Sequence, residues 1–174
     1  MTEYVDVSGV RVVEHSLIPL ADGAHLAARI WLPEDSPPVP AILEYVPYRK
    51  RGGLETRDEI MHRYVASHGY ACLRVDLRGS GDSEGLLLDE YLPTELADGA
   101  EVIDWISRQP WCDGNVGIIG KSWGGFNGLQ IAALRPPATV HRLHRRSRKA
   151  AYLGGIAAAA TAGGAIALLE GATG

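Results

Sequence analysis

The sequence predicts an α/β fold in which a mainly parallel sheet, covered by helices on both faces, is edged by an antiparallel hairpin. Three observations carry this expectation. Short β-rich apolar runs alternate with segments of helical spacing from residue 41 onward, the pattern made by right-handed crossovers between parallel strands. Two β-rich runs near the start are separated by an Asp-Gly turn signal. A short apolar run bounded by glycine, residues 116–120, passes straight into a glycine-framed turn and another helix, as a buried parallel strand does.

Taken in order, residues 10–20 and 25–32 are the β-rich runs, and Ala21-Asp22-Gly23-Ala24 between them makes a hairpin. Residues 33–40 (PEDSPPVP) form a surface loop on proline content. Residues 41–46 are a short apolar strand ending at Pro47-Tyr48. Residues 57–68 place Ile60, Tyr64 and Val65 at helical spacing, with Gly69 as terminator. Residues 70–76 (YACLRVD) are the next strand, and the glycine-rich loop 77–85 leads on to Glu90-Tyr91. A helix follows over 95–109, with Leu96, Val102, Ile103 and Ile106 on its apolar face, closed by Pro110 and the turn Cys112-Asp113-Gly114-Asn115. Residues 124–134 are the last helix before the chain changes character.

That change falls near Pro136-Pro137. Residues 1–137 carry 12 basic and 20 acidic side chains, whereas residues 138–174 carry 5 and 1, and 17 of those last 37 residues are Ala or Gly. The sequence therefore divides into an organised portion, 1–137, and an Arg/Ala/Gly-rich tail, 138–174, too poor in large side chains to build a core. The overall charge of -4 supplies no basic field and argues against nucleic acid as a partner. Two cysteines, Cys72 and Cys112, are too few for a disulfide framework or a zinc site and favour a reducing, cytoplasmic setting. The amino terminus carries Glu3 and Asp6 and has no apolar core, so it does not read as a secretory signal.

The sharpest chemical signal is Gly120-Lys121-Ser122-Trp123-Gly124-Gly125, between the 116–120 strand and a helix. Glycines two residues either side of a serine permit a very tight strand-to-helix turn, which would hold the Ser122 hydroxyl at the carboxyl end of the sheet. The Trp123 N–H, at the start of that helix, would then face the oxygen of a tetrahedral intermediate. A donor so placed is worth about 2.7 to 4 kcal/mol of barrier. The plainer alternative is that Ser122 only caps a helix.

Four blocks extend the signal: Pro47-Tyr48-Arg49-Lys50; Asp76-Leu77-Arg78-Gly79-Ser80-Gly81-Asp82-Ser83-Glu84-Gly85; Asp104-Trp105 with Gln109-Pro110-Trp111; and Gly120-Lys121-Ser122-Trp123-Gly124-Gly125. In this order they resemble the CocE/NonD hydrolases, the cocaine-esterase and X-Pro dipeptidyl-peptidase family, over roughly residues 10–137, the first half of an α/β-hydrolase domain. The resemblance implies a serine hydrolase cleaving esters or amides of small molecules or peptides through an acyl-enzyme, with no metal and no organic cofactor. It makes Ser122 the nucleophile, the Trp123 N–H one oxyanion donor and the Tyr48 hydroxyl a second; the residues alone would leave Tyr48 an ordinary aromatic beside a proline turn. Arg78 and Asp82 are expected to tie the 76–85 loop together, without a catalytic role.

The pattern breaks after Ser122. A serine needs a histidine base oriented by a carboxylate, and in this fold both follow the nucleophile in chain order. Downstream stand only His141 and His144, in the basic run HRLHRRSRK, and one carboxylate, Glu170. The triad acid and base are therefore expected to be missing, and the chain alone to be inactive. A frameshift near Pro137 fits, since HRLHRRSR read one base later can encode a family-like stretch. Residues 150–169 are uncharged and have the length of a membrane span, but few are strongly apolar and two Gly-Gly pairs weaken a helix, so a short helix or structureless tail is preferred to insertion. A sheet cut after this helix is expected to self-associate through an exposed edge. The alternative function is a non-catalytic fragment or a binding or membrane-associated module acting through the basic tail.

Overall fold

The computed structural model describes residues 3–6, 8–134 and 164–167. Seven strands among them form one mixed sheet: β1 (Glu3–Val5), β2 (Val10–Pro19), β3 (His25–Pro33), β4 (Val39–Val46), β5 (Ala71–Asp76), β6 (Cys112–Lys121) and β7 (Gly164–Ala167). Their order is β1-β2-β3-β5-β4-β6-β7. Three helices join them: α1 (Glu55–Ser67), α2 (Pro93–Ser107) and α3 (Trp123–Ala133).

The opening hairpin is present. β2 and β3 pair antiparallel from Pro19↔His25 back to Val10↔Pro33, and Asp22 closes the turn by accepting the Ala24 N–H at 3.0 Å. β4 lies between β5 and β6 and is parallel to both. The parallel portion is thus the three central strands, whose carboxyl ends carry the motifs, and antiparallel pairing reaches further than the hairpin, to β1, to the β3–β5 junction and to β7.

The strand β7 also alters the expectation for the tail. Residues 164–167 pair with residues 118–121 of β6, so that edge is covered over four residues, and a strand rather than a helix stands there. The remainder of the tail, including His141, His144 and the basic run, lies outside the described residues. Among the described residues no helix is long and apolar enough to cross a membrane.

Strand alternation sends successive side chains to opposite faces, and the two faces are built differently. One packs Ile30, Leu43, Tyr45, Leu73, Val75 and Ile118 against Val102, Ile103 and Ile106 of α2 and Ile131 of α3. The other, beneath α1, has a small apolar cluster of Val10, Val12, Trp31, Ala66 and Cys72 beside buried charge. Here the helical spacing misleads in part: Val65 packs against this cluster, but Ile60 and Tyr64 face solvent, and Asp58, His62 and Ala66 form the buried stripe of α1. The reason lies in the sheet, where Glu44 of β4 and Arg74 of β5 point to the same side and are themselves buried.

Glu44 accepts hydrogen bonds from Arg57 at 2.5 Å and from His62 at 3.1 Å, and lies 3.2 Å from Arg74; Arg74 is also 3.4 Å from Asp58. His62 is buried and stacked on Trp31 with ring centroids 4.8 Å apart. The polar residues on this helix face stay docked because each faces a partner in the sheet; a lone buried charge would cost several kcal/mol.

Burial alone would push the Glu44 carboxyl up, but the bonds from His62 and Arg57 and the charge of Arg74 outweigh it and hold the group at about 2, against 4.5. A depressed carboxylate contributes stability above its unfolded pKa and loses it as pH falls through the folded value. Wild-type protein is therefore expected to exceed Glu44→Gln by about 3 kcal/mol at neutral pH, with the difference shrinking between about pH 4.5 and 2. Urea unfolding of both proteins across that range checks it.

Candidate active site

The candidate site forms where the carboxyl ends of β4 and β6 lie side by side. β6 ends at Lys121 and α3 begins at Trp123, leaving Ser122 alone to turn the chain. Ser122 has φ 55° and ψ -122°, a left-handed conformation that ordinary residues hold only when their surroundings impose it. The surroundings are backbone packing. A Cβ at Gly120 would occupy the space of the Gly124 carbonyl and come within 2.7 Å of the Gly125 nitrogen. A Cβ at Gly124 would run into Val46 Cγ1 of β4. The glycines of the motif are thus required by the close approach of α3 to β6 and to β4.

Ser122 is exposed and sits at the N-cap of α3, but its side chain makes no capping bond. Its carbonyl does that work, accepting the Gly125 and Phe126 N–H groups at 2.9 and 3.1 Å. Among the described residues nothing bonds the hydroxyl, which stands at the head of the helix beside the Trp123 and Gly124 N–H groups that precede the first intrahelical bonds. Trp123 is the first of those residues. Tyr48 lies just past the end of β4, the strand adjacent to β6, with its side chain 40% exposed. The three residues singled out in the sequence therefore lie at one end of two adjoining parallel strands.

The loop carrying Tyr48 is anchored from behind. The Lys50 N–H donates to Asp76 at 2.6 Å, and its buried ammonium pairs with Asp82. Asp76 in turn accepts the Asp82 N–H at 3.2 Å, and burial raises its carboxyl above the ordinary value despite these donors. Arg78 grips Asp98 of α2 through two bonds of 2.7 and 2.8 Å and reaches Asp22 of the hairpin at 2.9 Å. Arg78 and Asp82 tie the loop to its neighbours, in keeping with the structural role expected of them.

None of the upstream histidines forms a hydrogen bond to Ser122. His25 is paired with Glu84, His15 stands 3.8 Å from Asp82, His68 bonds the Tyr64 carbonyl and His62, on the inner face of α1, bonds Glu44. The downstream candidates lie outside the described residues. Glu44, Asp58 and His62 have the closeness of metal ligands, but Arg57 and Arg74 already supply the positive charge there.

One residue at the site escaped sequence reasoning. Glu95 of α2 is buried, and its carboxylate accepts the Trp123 indole N–H at 2.8 Å, the Asn127 amide at 3.0 Å and the Tyr91 backbone N–H at 2.8 Å. The signal existed: Glu95 and Asp98 extend the Val102–Ile106 stripe backward by one helical repeat, so the buried face of α2 begins with two acids. Tyr91 packs 5.4 Å from Trp123 and 6.0 Å from Phe126, ring centroid to centroid.

Comparison with known proteins agrees with this geometry. Residues 22–143 match the family model of the X-Pro dipeptidyl-peptidase (S15 family). The chain belongs to the S15 family. Cocaine esterase of Rhodococcus sp. is 35% identical over 125 residues, covering 70% of this chain and 21% of that protein. The chain thus spans about a fifth of the length of the curated relatives it matches. A CocE/NonD family hydrolase from Staphylococcus aureus superposes with a TM-score of 0.66 at 24% identity, covering 74% of this chain and 26% of that one. An aminopeptidase from a marine sediment Thaumarchaeota archaeon gives a TM-score of 0.62 at 24% identity, with 76% and 24% covered. The fold is the amino-terminal part of an α/β-hydrolase, and the S15 match runs to residue 143, past the compositional change at Pro137.

The turn at Ser122 should tolerate no side chain at either flanking glycine. Gly120→Ala is expected to cost about 2–3 kcal/mol, whereas Gly114→Ala, where a Cβ meets nothing within 4 Å, should cost less despite its positive φ. Chemical denaturation of the two variants measures the contrast.

Proposed function

We propose that this chain carries the nucleophile and oxyanion half of a serine hydrolase site for ester or amide substrates, in which an acyl group is transferred to Ser122 and then to water. The observation that carries the reading is the strained, uncapped Ser122 on a glycine-built turn, in a chain of the S15 family. Ser122 Oγ would attack the acyl carbonyl, and the Trp123 N–H and Tyr48 hydroxyl would meet the negative charge that develops on its oxygen. Those interactions grow only as the tetrahedral species forms, so they lower the barrier without tightening the ground state.

The proton from Ser122 needs a base, which itself needs a carboxylate to orient it. In the chain order of this fold the acid and then the base come after the nucleophile, and the one carboxylate side chain after Ser122 is Glu170, which follows His141 and His144 rather than preceding them. His141 and His144 stand among five basic residues, a setting that disfavours the protonated imidazole a general base must become. The 174-residue chain is therefore expected to turn over slowly, with the residual rate coming from oxyanion stabilisation and binding, as in hydrolases that lack a triad member.

Hydrolysis of p-nitrophenyl acetate by the purified chain tests this. The expected result is a small rate above buffer that falls on Tyr48→Phe, by up to the roughly 10²–10³-fold seen when an oxyanion donor is removed. Full enzymatic turnover abolished by Ser122→Ala would show that acid and base are present after all. A rate indifferent to both substitutions would overturn the assignment of Ser122 and Tyr48.

A further inference from the structure

We infer that Glu95 is the positioning residue of this site: its carboxylate fixes the Trp123 side chain and, through it, the direction of the Trp123 backbone N–H beside Ser122. The inference rests on the hydrolase reading for what that N–H is for, but not for the geometry itself.

Three donors converge on one buried carboxylate from three places in the chain. The Trp123 indole comes from the residue after the nucleophile, the Asn127 amide from the next turn of α3, and the Tyr91 N–H from the segment leading into α2. Asn127 is itself buried and also donates to the Tyr45 carbonyl of β4 at 3.0 Å, while the Tyr45 hydroxyl donates to the Glu95 carbonyl at 3.3 Å. Glu95 therefore joins the end of β4, the start of α2 and the start of α3, the elements that surround Ser122.

Both carboxylate oxygens are engaged. Oε1 holds Trp123 and Asn127, and Oε2 holds Tyr91. A charge-assisted bond to a planar indole restrains rotation of the whole side chain, and so pins the first residue of α3 to the start of α2. None of the described histidines bonds Glu95. Glu95 acts through Trp123, and it touches no reacting atom.

Selective ¹⁵N-tryptophan labelling tests the inference on the whole chain, because it reports the backbone and indole N–H of Trp123 together and three reference tryptophans, Trp31, Trp105 and Trp111. In Glu95→Gln both Trp123 signals should move while the references stay, and amide exchange at Gly125 and Phe126, which bond the Ser122 carbonyl, should quicken at least 10-fold with Leu73 and Val75 unchanged. Trp123→Phe removes the indole donor but keeps Glu95, and should quicken the same two amides; it serves where Glu95→Gln does not fold. A Trp123 backbone signal and Gly125 and Phe126 exchange rates that stay put in a folded variant would overturn the positioning role. The ester assay separates the underlying reading: shifted Trp123 signals in a chain whose rate ignores Ser122 and Tyr48 would leave the positioning intact and remove the hydrolase assignment.

Discussion

The near contact between the backbone of Gly120 and the carbonyl of Gly124 is the constraint on which the rest of the site depends. It forces β6 to reverse into α3 within a single residue, so that residue adopts a positive φ and its hydroxyl is carried clear of both elements. The cost of holding Ser122 there, of order 1–3 kcal/mol, is offset by what the close approach permits. α3 lies against β4 with Gly124 beneath Val46, and against β6 with Gly128 beside Ile118. Ile131 of α3 and Tyr45 of β4 then fill the space beside Gly99 of α2.

The two faces of the sheet divide the labour. Under α2 and α3 the core is mainly apolar, with Glu95, Asp98 and Asn127 buried at the end nearest the strained turn. Under α1 a network of Glu44, Asp58, His62, Arg57 and Arg74 does what an apolar stripe does elsewhere. Ion pairs of this kind add little net stability over apolar residues but tolerate few registers. They fix the helix that follows the Tyr48 loop, while Lys50, Asp76 and Asp82 fix the loop itself.

Much of this was legible in the sequence. The hairpin, the three central strands and the three helices follow from alternation, turn residues and glycine placement, and the turn at Ser122 follows from the steric demands of its glycines. β1 and β7 were not legible, because three or four residues carry no periodicity and their pairing is decided by the neighbouring strand. The inward face of α1 was misread for a different reason: Ile60 and Tyr64 are apolar, but their side of the helix meets water, and the charges of Glu44 and Arg74 select Asp58 and His62 instead. Glu95 was passed over because an acid on an apolar stripe is recognised only once its three donors are seen. The role proposed for Tyr48 comes from family likeness rather than from its own surroundings.

The central claim is that this elbow serves acyl transfer in a site whose acid and base follow Ser122 in the gene. Sequencing the coding DNA from the Ser122 codon to well past codon 174, and translating all three frames, tests that directly. The account predicts that one frame continues from near Pro137 into alternating strands and helices with an Asp or Glu and then a His. If no frame does so, Ser122 has no partners to work with, and a binding role for the chain replaces the hydrolase reading.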